Sequence, residues 1–358
     1  MKIEYKFFIV ISYLFFGLSG FVKAQDTLDY KDIEKQVDKY LTYFSGNNPG
    51  AVIGVIQKGE IIFSKAYGMA DLSNNQVMSA DMLMNIGELS KAFTSLAIMQ
   101  LVEKGKLTLD QSLSDIIKDF PAYGTNIKVR YLINHASGLK NYSEDSISNN
   151  EEVLSYLKRQ NKAEFEPGEE WVYSNSDYVV LAYIIEKVSG LQYTDYINKN
   201  IFKKIKLENT FFAGDLTQEV NIAKSHFKED GIYKTKRAIN KVYGEQGIFM
   251  NVADYAKWDH ALYTDKLLNC ENLQKIFSVE EIQGSSRKNY YGYGWALMER
   301  NNTRYYWHGG SGDGYTSLVL HLPDTDKTIL ILTNRNDGYD FLKMAIQIAK
   351  LFDKNLKL

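Results

Sequence analysis

The sequence predicts an α+β architecture: an antiparallel sheet flanked by helices, assembled from both ends of the chain, with a helical domain inserted between. Three observations carry this. Ala51–Gln57, a Lys58-Gly59 turn and Glu60–Tyr67 read as a β-hairpin near the amino terminus. Four runs of strand character, at 293–299, 303–307, 317–322 and 328–333, lie near the carboxyl terminus. The stretch 112–283 is instead mostly of helical period, broken by polar loops. The expected division is a sheet domain at 25–111 and 284–358 and a helical domain at 112–283.

In chain order, 28–44 places Ile33, Val37, Leu41 and Phe44 at helical spacing with charges on the other face. The Gly46-Asn47-Asn48-Pro49-Gly50 string ends that helix. A second helix is expected from Glu88 to about Lys104, stopped by Gly105. Leu96, Ala97, Met99, Leu101 and Val102 make it apolar on more than one side, so it is expected to be central and enclosed. Within the insert, 179–188 and 254–262 are the clearest helices, the latter capped by Asn251. Pro323-Asp324-Thr325-Asp326 is a turn between the last two strands, and 340–352 is a closing amphipathic helix.

The 42 basic and 44 acidic side chains among 358 residues leave a formal charge of −2, which gives no sign of nucleic acid or an anionic membrane as partner. Lys2 and Lys6, an apolar run over 7–21 and Val22-Lys23-Ala24 read as a secretory signal cleaved after Ala24. The expected location is therefore periplasmic or secreted, with no membrane association after cleavage. Cys270 is the only cysteine, so no internal disulfide can form. No carboxylate, thiol or histidine spacing makes a metal site, and no glycine-rich phosphate loop is present, so no cofactor is expected.

Three separated segments carry chemistry. They are Ile86-Gly87-Glu88-Leu89-Ser90-Lys91, Tyr173-Ser174-Asn175 after Pro167-Gly168-Glu169-Glu170-Trp171, and His308-Gly309-Gly310, expected just before a strand. Together they resemble the serine β-lactamase and penicillin-binding-protein superfamily, with the His-x-Gly third motif of its esterase and peptidase branches. The 134–139 and 247–258 segments also resemble the family. The resemblance implies the β-lactamase/transpeptidase-like fold. It also implies a cleft in which a serine attacks an acyl carbon, a lysine and a tyrosine handle protons, and two backbone amides hold the oxyanion.

Carried over by position, Lys91, Tyr173 and His308 stand at catalytic positions. Asn175, Gly310, Ser311 and Trp171 stand at substrate-binding positions, and the amides are those of Glu88 and Ser311. The nucleophile position itself holds Glu88. Ser90 is turned by roughly 200° from residue 88 on a helix, and Ser174 is the other candidate hydroxyl. Glu88 is one turn from Lys91, so the two are expected to attract.

The serine acyl-enzyme route is therefore expected to be lost. The leading expectation is acid–base chemistry by Glu88, Lys91 and Tyr173 on a small-molecule or peptide-like ligand in the interdomain cleft. The alternative is a binding protein for a peptidoglycan fragment or a protein partner. A conventional hydrolase using another serine is the third reading. His135 is expected to be a structural hydrogen-bonding residue, and Trp171, Tyr243 and Trp307 could line the cleft or the core.

Overall fold

The computed structural model describes residues 29–143, 147–215, 221–236, 241–278, 290–336 and 338–358. The expected signal segment and the 283/284 domain boundary lie outside them.

Seven strands form one antiparallel sheet. Its order is Tyr291–Gly292, Trp295–Arg300, Thr303–Gly312, Tyr315–Leu322, Lys327–Thr333, β1 (Ala51–Gln57) and β2 (Glu60–Tyr67). The two ends of the chain thus meet in mid-sheet, Ala51 opposite Thr333 and Gln57 opposite Lys327. Ala51 to Ile56 are all buried, because both faces of the sheet are covered. Ile53 and Val55 face Val37 and Leu41 of α1 (Tyr30–Leu41) and Ile348 of the Phe341–Phe352 helix. Val52 and Ile56 face the opposite core, which contains α2 (Ser90–Glu103).

α2 is enclosed, as its composition predicts: every residue from Ser90 to Leu101 is buried. Phe93 stacks on Trp258 at 3.9 Å between ring centroids. The helix stops as Gly105 takes a left-handed φ of +64°. The neighbouring Asn175–Ser189 helix begins four residues before its apolar run and ends at Gly190, also left-handed. Asn251 caps the Val252–Ala261 helix through Asp254 N at 2.9 Å.

The structure corrects two expectations. The strand beginning at Thr303 runs on to Gly312, so His308-Gly309-Gly310 lies inside a strand instead of before one. The reason is the turn beyond it. Asp313 and Gly314 both take positive φ, +51° and +78°, the tight hairpin turn that returns Gly312 onto Tyr315. The helical stretch also holds strands. Ile248–Met250 pairs with Met84–Asn85 and Phe211–Phe212, and Ser225–Glu229 pairs with Ile232–Lys236. The first three of these segments have two or three residues, too short to show a period.

Asn334 ties three remote parts of the chain together. Its amide donates to Met69 O, Ala70 O and Lys224 O at 3.1, 3.0 and 2.8 Å, and its oxygen accepts from Gly50 N at 2.7 Å. Asn334 is fully buried, so its loss strands polar backbone away from water. Asn334→Ala is expected to lower unfolding stability by about 2 kcal/mol, read as a shifted urea midpoint.

Candidate active site

The site forms where α2 begins. Residues 84–89 are held on two sides: Ile86 N donates to Ile248 O at 3.0 Å, and Ile86 O accepts from Ser317 Oγ at 2.7 Å. The Gly87–Leu89 turn then leads directly into α2. Two glycines allow the sheet to come this close. A Cβ on Gly310 would meet Ile86 O at 2.5 Å, and one on Gly87, whose φ is +53°, would meet Ser311 N at 3.1 Å. Gly310 therefore acts by having no side chain.

The close approach decides where Glu88 points. Its Oε2 accepts a hydrogen bond from Ser311 N at 2.7 Å. The expected pairing with Lys91 does not form within 4 Å. Lys91 Nζ donates instead to Asn175 Oδ1 at 2.7 Å and to Glu245 Oε2 at 3.4 Å. The Lys91 and Glu245 side chains are 0% and 1% exposed. Tyr142 Oη donates to the other Glu245 oxygen at 2.8 Å. Burial pushes the Lys91 ammonium below the usual lysine value, against the pull of Glu245, Glu88 and Asp177.

Asn175 is the first residue of its helix, and Asn141 holds that helix start. Asn141 Oδ1 accepts from Asn175 N at 2.9 Å and from Ser176 N at 3.3 Å, in place of a local cap. Lys91 also lies 5.0 Å from the ring centroid of Tyr173. Burial, with Glu88 and Glu245 nearby, drives the Tyr173 phenol well above its ordinary value, so it stays protonated at neutral pH.

His308 donates from Nδ1 to Gly309 O at 2.6 Å and accepts at Nε2 from Tyr291 Oη at 2.9 Å. Burial and the Lys91 charge push it down to about 3, so it is a neutral imidazole near pH 7. His135 is a structural residue, held in a left-handed conformation at φ +59°. Its Nδ1 lies 3.0 Å from Asp177 Oδ2, and Ser137 Oγ donates to the same carboxyl group. Burial pushes Asp177 up and His135 down, which favours a neutral pair.

In front of these residues opens a cavity of about 1070 Å³. Of the expected site residues, Glu88, Trp171, Tyr173, His308, Gly310 and Ser311 line it. Lys91 and Asn175 are brought together, but neither lines it. Trp307 lines the cavity as well, whereas Tyr243 packs on Phe212 at 5.3 Å and its hydroxyl accepts from Gly214 N at 3.1 Å. Neither candidate hydroxyl reaches the cavity. Ser90 Oγ is buried and has no hydrogen-bond partner, and Ser174 Oγ sits 3.5 Å from Leu139 O and from Asn141 Oδ1. Sequence reasoning missed Glu245, Tyr142 and the site role of Tyr291.

A helix-borne lysine beneath a glycine-bearing strand, faced by a Tyr-x-Asn helix start, defines the scaffold of serine hydrolases with an α+β sandwich. The Beta-lactamase family model matches residues 31–352, and the chain belongs to that family. It is similar to penicillin-binding protein 4* of Bacillus subtilis, 26% identical over 317 residues covering 82% of this chain and 69% of that protein. It is 31% identical over 272 residues to the putative penicillin-binding protein PbpX of the same species, covering 72% of this chain and 65% of that protein, just under two thirds of its length. Among solved structures, the octameric penicillin-binding protein homologue from Pyrococcus abyssi superposes with a TM-score of 0.80 at 24% identity, over 90% of this chain and 77% of that one.

Proposed function

We propose that this chain is a ligand-binding relative of the penicillin-binding proteins in which the acyl-enzyme route is lost. The observation that supports this best is the 2.7 Å bond from Ser311 N to Glu88 Oε2. In the family pattern that amide holds the oxyanion of an acyl transition state. Here the chain's own carboxylate takes it, so a ligand carbonyl cannot be polarised there. Lys91 is buried, bonds Asn175 and Glu245 and does not line the cavity, so with no serine at position 88 it has no nucleophile to serve.

This reverses the order in which the sequence ranks its readings. Acid–base conversion by Glu88, Lys91 and Tyr173 stands second. One observation favours it: burial lowers the Lys91 ammonium toward the range in which an amine can accept a proton. The ligand space suits a small molecule or a peptide-like fragment, and export to a periplasm or the medium, with peptidoglycan at hand, is part of the proposal.

The test is a thermal-shift screen with peptidoglycan fragments, followed by chromatography of the recovered ligand. The expected result is a raised melting temperature with the ligand returned unchanged. Turnover that disappears in Lys91→Ala would replace this reading with the acid–base one. An adduct on the wild-type chain after exposure to a fluorophosphonate would restore the hydrolase reading.

A further inference from the structure

We infer that the cavity in front of Glu88 binds an organic cation, an ammonium group carried on an apolar body. This rests on the reading that the cleft binds without acyl transfer, and adds the chemical class of the ligand.

The wall of the cavity is aromatic and acidic. Trp171, Tyr173, Tyr290, Tyr291 and Trp307 contribute rings. Trp171 and Tyr291 lie 6.3 Å apart between centroids and Tyr173 and Tyr291 5.9 Å, so these rings pack on one another as one continuous aromatic wall of the cavity. Ring faces carry negative potential and attract cations, most strongly where water is scarce. Glu88 and Asp340 are the two carboxylates of the lining, and no lysine or arginine lines it among the described residues. His308 also lines it, and as a neutral imidazole adds no positive charge.

Glu88 is half engaged. Its Oε2 is taken by Ser311 N, while Oε1 accepts no hydrogen bond from any described residue. A carboxylate oxygen can accept two, so Glu88 offers open acceptor capacity to the cavity. Among the described residues, the lysine one turn after Glu88, Lys91, is turned to Glu245 and Asn175 and does not line the cavity. Anionic and carbonyl ligands meet the opposite situation: the amide that would receive them is occupied, and the open group is an acceptor.

The experiment is calorimetric titration of the whole chain with three probes of similar size: 2-phenylethylamine, 2-phenylethanol and 3-phenylpropionate. The expected order has the ammonium tighter than the alcohol by about tenfold, with the carboxylate weakest. Glu88→Gln, which keeps the size and the bond from Ser311, is expected to abolish the preference for the ammonium. If that variant does not fold, raising salt on the wild type must shrink the same preference.

Equal binding of all three probes, no binding of the ammonium, tightest binding of the carboxylate, or a preference that survives Glu88→Gln would each overturn the inference. None of these outcomes forms an adduct on the chain. They are therefore separate from the fluorophosphonate result that would overturn the loss of acyl transfer.

Discussion

Glu88→Ser is expected to gain a covalent adduct with a fluorophosphonate or a penicillin, seen as one added group by intact mass, while the wild-type chain gains none. The substitution does two things at once. It places a hydroxyl one helical turn before Lys91, and it frees Ser311 N from the carboxylate that now holds it at 2.7 Å. One oxyanion donor alone is worth about 10²–10³ in rate, so adduct formation in the variant is expected to exceed that of the wild type by at least about 100-fold. Lys91 is suited to assist, since burial has already lowered its proton affinity. Glu88→Ala is the control, because it frees the amide without supplying a nucleophile and is expected to stay unlabelled. A folded Glu88→Ser chain that also stays unlabelled would mean that the cleft has departed from acyl chemistry at more than this position.

Glu245→Ala is expected to destabilise the chain more than any surface change. It leaves the Lys91 ammonium buried with Asn175 as its remaining side-chain acceptor, and it also removes the acceptor of Tyr142 Oη. Breaking one side of a buried pair costs about 3–5 kcal/mol, which for a chain of this size is a melting point lower by roughly 5–10 °C. The effect has a pH signature. Lys91 is already depressed in the folded state, so the unfolded chain binds the extra proton between that lowered value and the ordinary lysine range, and stability rises with pH there. Removing Glu245 takes away the main charge opposing the depression. The variant should therefore recover more stability than the wild type as pH is raised toward 10. Melting curves for both across that range check it; a gap that stays constant with pH would show that Lys91 is not the group responsible. Lys91→Met combined with Glu245→Leu is expected to be more stable than Glu245→Ala alone.

The fold was legible because its signals are long or chemically specific. The all-round apolar α2, the Lys58-Gly59 hairpin and the apolar carboxyl-terminal strands each announce themselves over a run of residues or through a special turn. Asp313-Gly314 is a turn of the same kind, and reading it would have extended the third-motif strand to Gly312. The site was legible where residues sit in local motifs, as Lys91, Tyr173, Asn175 and His308 do. The partner of Lys91 was not, because Glu245 lies 154 positions away and no spacing links the two. Nor could helical periodicity foresee the direction of Glu88. One turn before Lys91 predicts attraction, but the amide of Ser311, brought in by the sheet at a glycine contact, is the nearer donor.

The meeting of β1 with the Lys327–Thr333 strand has a consequence for how the chain comes to be folded. The bond from Gly50 to Asn334 joins positions 284 residues apart, and the strands beside it span nearly the same interval. As the chain emerges from the ribosome, β1 has β2 for company and an open edge on its other side. The helices between can pack against one another, but the sheet they lean on is unfinished until Lys327–Thr333 arrives. Closure this non-local is slow and comes at the end. A chain cut short anywhere before Lys327 lacks the strand that joins the two halves, and it would expose that unpaired edge to proteases and to other chains. Emergence of that strand is thus built into the topology as a condition for reaching the native state.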